Sequence, residues 1–278
     1  MPAPKNNSSL PEISIADAEV SLDQLIAVAL QGQPVVIASD PDWRAKLDRG
    51  REFLEQSLSA GDRVYGVSTR VGFSSGRSVG PEHSQEFAYQ IIRQHGCGVG
   101  EPFTRREGRA IVFARLVSLA KGYSAIRPAL LEALCHLLNH DLIPVIPSLG
   151  SVGASGDLTP LSYLAAVLCG EREAYYGGEI LPAAGALRRA GLPVYTFVPK
   201  ESLAIMNGTA VMTAIGAITV ARFDHTLAIC ERASALAAEI LFGRSQAFHP
   251  CLLYTSDAAD ESSRGGGGGG GGGGWVGG

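Results

Sequence analysis

Apolar positions recur at helical spacing along most of the chain, in blocks separated by Pro, Gly and Asp. Ser21 offers a cap for a short helix over Leu22–Leu30, and Trp43–Ser57 reads as an amphipathic helix. Pro81–His95 fits a helix with proline in its first turn. Further helices are predicted over Arg105–Ala120, Pro128–His140 and Leu158–Cys169, and a long Ala- and Leu-rich one over Met212–Leu241. Strand signals are few. Val35–Ala38 is a short β-like run, and Tyr175–Ile180 predicts a small hairpin or turn. Val64–Val79 and Pro144–Gly156 are rich in residues that break regular structure and predict loops. No internal repeat is visible. The pattern predicts a mainly α-helical bundle with a small mixed α/β N-terminal part.

Leu203–Ala221 carries no charge and has about the length a bilayer demands. It also holds Asn207, Thr209, Thr213, Thr219 and two glycines, so it is predicted to be a helix buried inside a bundle. Composition supports a large core: of 278 residues, 46% are hydrophobic and 18% charged. Net charge is -4 without a long basic block, which argues against nucleic acid or an anionic membrane as partner. Met1–Pro11 lacks the apolar run of a secretory signal, and residues 1–19 are expected to be flexible. Cys97, Cys135, Cys169, Cys230 and Cys251 form no C-x-x-C pair. They read as reduced thiols of a cytoplasmic protein rather than as a disulfide frame or a metal site.

The composition changes abruptly at Cys251. Cys251–Glu261 resembles a translated sequencing-library adapter, and Gly265–Gly274 is an unbroken glycine run that cannot bury surface. Residues 251–278 are therefore expected to be a non-native tail, and residues 20–250 the folded portion that follows the flexible N-terminus.

Chemistry concentrates in Gly150-Ser151-Val152-Gly153-Ala154-Ser155-Gly156-Asp157-Leu158-Thr159-Pro160-Leu161. The glycine spacing is neither G-x-G-x-x-G nor a phosphate loop ending in Gly-Lys-Ser/Thr. A hydrolase elbow needs glycine two residues after the serine, where this chain has Asp157. A plain turn is the remaining reading of the triplet alone. The whole string, however, resembles the signature of the histidine, tyrosine and phenylalanine ammonia-lyases. Other blocks resemble the same family in the same order: Tyr65-Gly66-Val67-Ser68-Thr69, Gln94-His95-Gly96-Cys97-Gly98-Val99-Gly100, Lys121-Gly122-Tyr123-Ser124, and Lys200 through Asn207-Gly208-Thr209.

That resemblance implies an aspartase/fumarase-like helical bundle, incomplete in this chain, and a homotetramer at full length. It implies that Ala154, Ser155 and Gly156 cyclise with loss of water into 4-methylidene-imidazol-5-one (MIO), with no diffusible cofactor and no metal. Gly156 lacks a Cβ that would obstruct ring closure, and loss of the Ser155 hydroxyl leaves an electrophilic methylene. Asp157 is expected to cap the helix that follows, whose dipole favours developing negative charge. In the implied mechanism the amine of an aromatic amino acid adds to the methylene, Tyr65 removes the β-proton, ammonia leaves, and an unsaturated acid forms. Asn207 would hydrogen-bond near the ring. Gly72, Gln94 and His95 are implied in substrate binding, with His95 able to hydrogen-bond an imidazole or a phenol.

Two departures from the family pattern matter. Arg70 stands where the family usually has the first glycine after its tyrosine loop, and could reposition Tyr65 or contact an anion. Gln94-His95 matches the Ser-His pair of histidine lyases at one position of two, so histidine leads and tyrosine follows as the expected substrate. An aromatic 2,3-aminomutase and a non-catalytic assembly relative stay open. Ala247-Phe248-His249-Pro250 resembles the point where a second helical half continues, so the chain by itself is expected to be inactive.

Overall fold

The computed structural model describes residues 11–153 and 156–250, except 245, 247 and 248. The expectations for residues 1–10 and for the tail 251–278 lie outside the described residues. Two compact units divide the chain, Met1–Arg222 and Phe223–Gly278.

The first unit opens with strand β1 (Ile13–Ile15), inside the segment read as flexible. Its alternation buries Ile13 and Ile15 and exposes Ser14, and it pairs in parallel with β2 (Val35–Ile37). The carboxamide of Asn139 accepts from Val35 N at 2.9 Å and donates to Val35 O at 2.8 Å, holding the strand to the helix that carries it. Between the strands runs α1 (Leu22–Ile26). Ser21 and Gln24 form a capping box at its start, and the chain continues in a wider turn, Ala27–Gln31, closed by Gly32. Asp40 caps α2 (Pro41–Ser59), which buries Trp43, Leu47 and Leu54 along one stripe; the Trp43 indole N–H donates to Ala120 O at 2.7 Å.

A tight turn at Pro81–His83 leads into α3 (Ser84–His95), so the predicted helix begins three residues late. Strand β3 (Val99–Pro102) follows. The Thr104–Glu107 capping box starts α4 (Arg105–Ala120) where the sequence predicts it, and α5 (Pro128–Asn139) has Pro128 in its first turn. Beyond β4 (Ile143–Pro144), the stretch predicted as loop contains β5 (Pro147–Leu149), antiparallel to β3. Next come α6 (Leu158–Leu168) and a hairpin of β6 (Glu173–Tyr176) and β7 (Glu179–Pro182). Gly177 and Gly178, both at positive φ, make its two-residue turn. Then follow α7 (Ala183–Ala190), α8 (Glu201–Met206) and α9 (Ala210–Ile240).

The core sits around α4 and α6. Ala110–Phe113, Leu116, Leu119 and Ala120 of α4 are fully buried, and α6 is buried along nearly its whole length. Helices α3, α5 and α8 pack around these two. The mainly helical architecture is as expected; the parallel pairing of β1 with β2, inside the segment read as flexible, was not predicted.

The single buried helix predicted over Leu203–Ala221 is corrected. Its chain breaks at Asn207–Thr209, because the carboxylate of Asp157 binds the first amides of α9 and so starts a new helix there. Burial of α9 in the first unit is also one-sided, at Ala210, Val211, Ala214 and Ile218. Among the described residues the run Glu201–Ile240, which joins α8 and α9 across the break, has the length and apolar composition to cross a membrane. In the second unit the helix exposes Phe223, Leu227, Ile229, Leu236 and Ile240.

The four described cysteines are free thiols. Cys135 is buried, and burial pushes its thiol up to about 12; burial likewise raises Cys169 to about 11, while Cys97 and Cys230 are exposed. A raised pKa keeps sulfur protonated, and thiolate is the form that alkylates. Native iodoacetamide labelling near neutral pH should therefore modify Cys97 and Cys230 well before Cys135 and Cys169, as read by peptide mass spectrometry. Equal labelling of Cys135 would contradict this packing.

Candidate active site

The break between α8 and α9 is held by two buried side chains of opposite charge. Asp157, 3% exposed, accepts from Val211 N at 3.0 Å and Met212 N at 3.1 Å, and its other oxygen accepts from the Ser151 hydroxyl at 2.7 Å. A carboxylate on the open amides of a helix start is favourable both as a cap and against the helix dipole. The expected cap on α6 is corrected: Asp157 makes no side-chain bond to the helix that follows it and caps α9 instead. Its own amide donates to Gly208 O at 2.7 Å, so loop 151–157 is tied to the break by both main chain and side chain.

Arg115, 3% exposed on α4, approaches from the other side. Its guanidinium donates to Ala204 O and, at 3.1 Å, to Asn207 O, carbonyls at the end of α8 that lack helical partners. Burial brings this guanidinium down to about 10, and the Asp157 carboxylate acts in the opposite direction, so it remains a cation at neutral pH. Among the described residues its Nε is buried without a hydrogen-bond partner.

Gly156 lies against this frame at φ +124. A Cβ there would stand 2.5 Å from Gly208 N and 3.0 Å from both Asn207 Oδ1 and Gly208 O. The predicted residues Gly156 and Asn207 are thus brought together, with Asn207 itself exposed. Ala154 and Ser155 lie outside the described residues.

Tyr65 sits on a turn at 64–69 and is 48% exposed, and its oxygen accepts from Gly72 N at 2.8 Å. Gly72 takes φ +58, a conformation suited to glycine. Arg70 is exposed and lies outside the left-handed region, so the backbone at that position has no need of the family's glycine. The turn packs on α8 through Gly66, where a Cβ would come 2.5 Å from Leu203 Cδ2.

At the end of α3, Gln94 is exposed and His95 half-buried. His95 Nδ1 lies 2.8 Å from Ile91 O. A carbonyl can only accept, so Nδ1 bears the hydrogen and Nε2 of the neutral ring is an acceptor. Beyond it, the Gly96 and Gly98 carbonyls accept from Arg172 at 2.8 Å and from the Tyr163 hydroxyl at 3.3 Å. Gly98 Cα also lies 3.2 Å from where a Cβ on Gly150 would stand, so the end of α3 abuts the start of the motif loop.

The structure therefore joins Tyr65 to Gly72, Gly98 to Gly150, and Gly156 to Asn207. It does not link Tyr65 or His95 to Asn207 by a hydrogen bond among the described residues. Sequence reasoning missed Arg115 and Ser151. A lone arginine among the apolar residues of 110–120 was the available signal for the first; Ser151 had none beyond its place in the motif.

Comparison with known proteins fits this arrangement. The family described as aromatic amino acid lyase matches residues 20–258. The histidine ammonia-lyase of Gloeobacter violaceus is 41% identical over 231 residues, covering 83% of this chain and 45% of that protein. The probable histidine ammonia-lyase of Thermoplasma acidophilum is 40% identical over 243 residues, covering 87% and 48%. Among solved structures, the phenylalanine aminomutase of Pantoea agglomerans superposes with a TM-score of 0.82 at 30% identity, over 88% of this chain and 47% of that one. The chain thus spans about half the length of the curated relatives it matches. With the family match running through the motif loop, the Tyr65 turn and the Asn207 break alike, the chain belongs to the aromatic amino acid lyase family.

Proposed function

We propose that this chain carries the electrophile-forming and proton-abstracting part of an enzyme that eliminates ammonia from an aromatic L-amino acid, histidine first and tyrosine second. The packing of Gly156 carries the reading. Ring closure between Ala154 and Gly156 needs a nitrogen unhindered by a neighbouring side chain, and the backbone of Gly208 and the carboxamide of Asn207 leave no space for one. These residues fit MIO, which would supply an electrophilic methylene that makes the substrate nitrogen a better leaving group.

The other residues have tasks their geometry suits. The Asn207 carboxamide stands beside Gly156, where it can hydrogen-bond the ring's polar atoms. Gly72 N–H fixes the Tyr65 oxygen at the open side of its turn, where it can take the β-proton of a bound substrate. His95 offers Nε2 to an imidazole N–H or a phenol O–H, which is why histidine and tyrosine lead. A second reading, a 2,3-aminomutase returning ammonia to the β-carbon, draws support from the likeness to an aminomutase of solved structure.

Peptide mass spectrometry of the purified chain tests the first step. The peptide bearing Ala154–Gly156 should be two waters lighter than its sequence, and the loss should persist in Tyr65→Phe and vanish in Ser155→Ala. A parent peptide at full mass sinks the reading. Product analysis with the whole protein separates the two chemistries: an unsaturated acid with free ammonia supports elimination, a β-amino acid supports the mutase.

A further inference from the structure

We propose that Arg115 is a positioning residue for ring closure at residues 154–156, acting through the Asn207–Gly208 break. The inference rests on the MIO reading above and extends it to a side chain on another helix. Closure forms a bond from Gly156 N to the Ala154 carbonyl carbon. One water leaves with that carbonyl oxygen and the hydrogens of the Gly156 and Ser155 nitrogens. A second leaves with the Ser155 hydroxyl and its Cα hydrogen. The balance is a double dehydration without oxidant or reductant, so what the protein must contribute is a template that presses the chain into the closing conformation.

The template is the break. Asp157, the residue after the attacking nitrogen, is tied by its amide to Gly208 O and by its carboxylate to Val211 and Met212. Gly156 itself is packed on Gly208 N and Asn207 Oδ1. Among the described residues, these contacts of Gly156 and Asp157 all fall on residues 207–212. Arg115 in turn carries those residues, through Ala204 O and Asn207 O. Contact is close enough that a Cβ on Gly208 would strike Arg115 Nη1.

One terminal nitrogen, Nη2, donates to both carbonyls, while Nη1 donates to the Ser118 hydroxyl at 3.3 Å, so the rigid plane of the guanidinium is fixed on α4 as it holds the break. Its burial with an orphaned Nε is costly, and an apolar side chain would fill the same core position more cheaply.

The test uses the 278-residue chain and follows the two-water loss of the 154–156 peptide with time after synthesis, with amide exchange of α4 and α6 as the check on folding. Arg115→Met should slow the loss by about tenfold to a hundredfold, the scale of a small misplacement at a reacting centre, while protection of the α4 core is kept. Arg115→Lys should recover part of the rate. Gly208→Ala, which displaces the guanidinium without removing it, should also be slow, and adding it to Arg115→Met should slow the reaction no further. Dehydration of a folded Arg115→Met at the parental rate overturns the proposal. Should that variant fail to fold, Gly208→Ala decides: a parental rate there overturns it equally. A parent peptide that never loses water overturns the MIO reading and this inference together, whereas a dehydrated parent with unaffected variants removes the inference alone.

Discussion

Glu201→Ala should lower the unfolding free energy by about 3 kcal/mol, the low end of what removing one partner of a buried ion pair costs. Glu201 is fully buried at the start of α8. One oxygen accepts from Arg127 Nε at 2.9 Å and Arg127 N at 3.1 Å; the other accepts from Arg127 Nη2 at 2.8 Å, Tyr195 OH at 3.0 Å and Val198 N at 3.1 Å. Alanine would strand these donors, two of them backbone amides. The low end applies because Arg127 keeps 36% of its side chain in solvent and can rehydrate. Arg127 is held well above the usual guanidinium range, first by its hydrogen bonds to Glu201, and burial, with the same carboxylate adding to it, raises the Tyr195 phenol. Glu201→Gln keeps the volume and loses the charge, so it should cost about 1–2 kcal/mol. Urea unfolding of the three proteins measures both, and a loss below about 1 kcal/mol for alanine would show that this cluster does not hold α5 to α8.

Gly156→Ala should cost about 2–4 kcal/mol and leave the 154–156 peptide fully hydrated. At φ +124 an L side chain is strained before any contact is counted. Its Cβ would then meet Gly208 N at 2.5 Å and two further atoms at 3.0 Å, and two of the three are backbone that cannot rotate away. The loop would have to lift from the break that shapes it. Gly153→Ala is the control: that glycine also has positive φ, at +69, but nothing lies within 4 Å of its added Cβ, so only the conformational cost, about 1 kcal/mol, should appear. Thermal unfolding and peptide mass together decide, and equal effects at the two glycines would contradict the close packing at Gly156.

What could be read from the sequence was whatever local chemistry decides. Helix α4 lies where predicted because Thr104 and Glu107 fix its start within four residues. The hairpin followed from Gly177-Gly178 between apolar runs. Long-range pairing was not legible. Strand β1 is three residues long and gains order only from β2, about twenty residues on, while β5 needs β3 across α4 and α5. The break in Leu203–Ala221 escaped for the same reason: periodicity counts apolar residues, and the carboxylate that splits the helix comes from Asp157. At the site, the motif named Gly156 and Asn207 separately, and the fold alone shows them in contact.

The carboxamide of Asn139 has a consequence beyond anchoring. A sheet of two strands ordinarily leaves a rim of unpaired amides and carbonyls on which another chain can add by β-pairing. Here one side chain satisfies both the N–H and the C=O that Val35 turns outward, as a neighbouring strand would. This two-stranded sheet is thereby stoppered at that rim, and a side chain guards it against intermolecular growth.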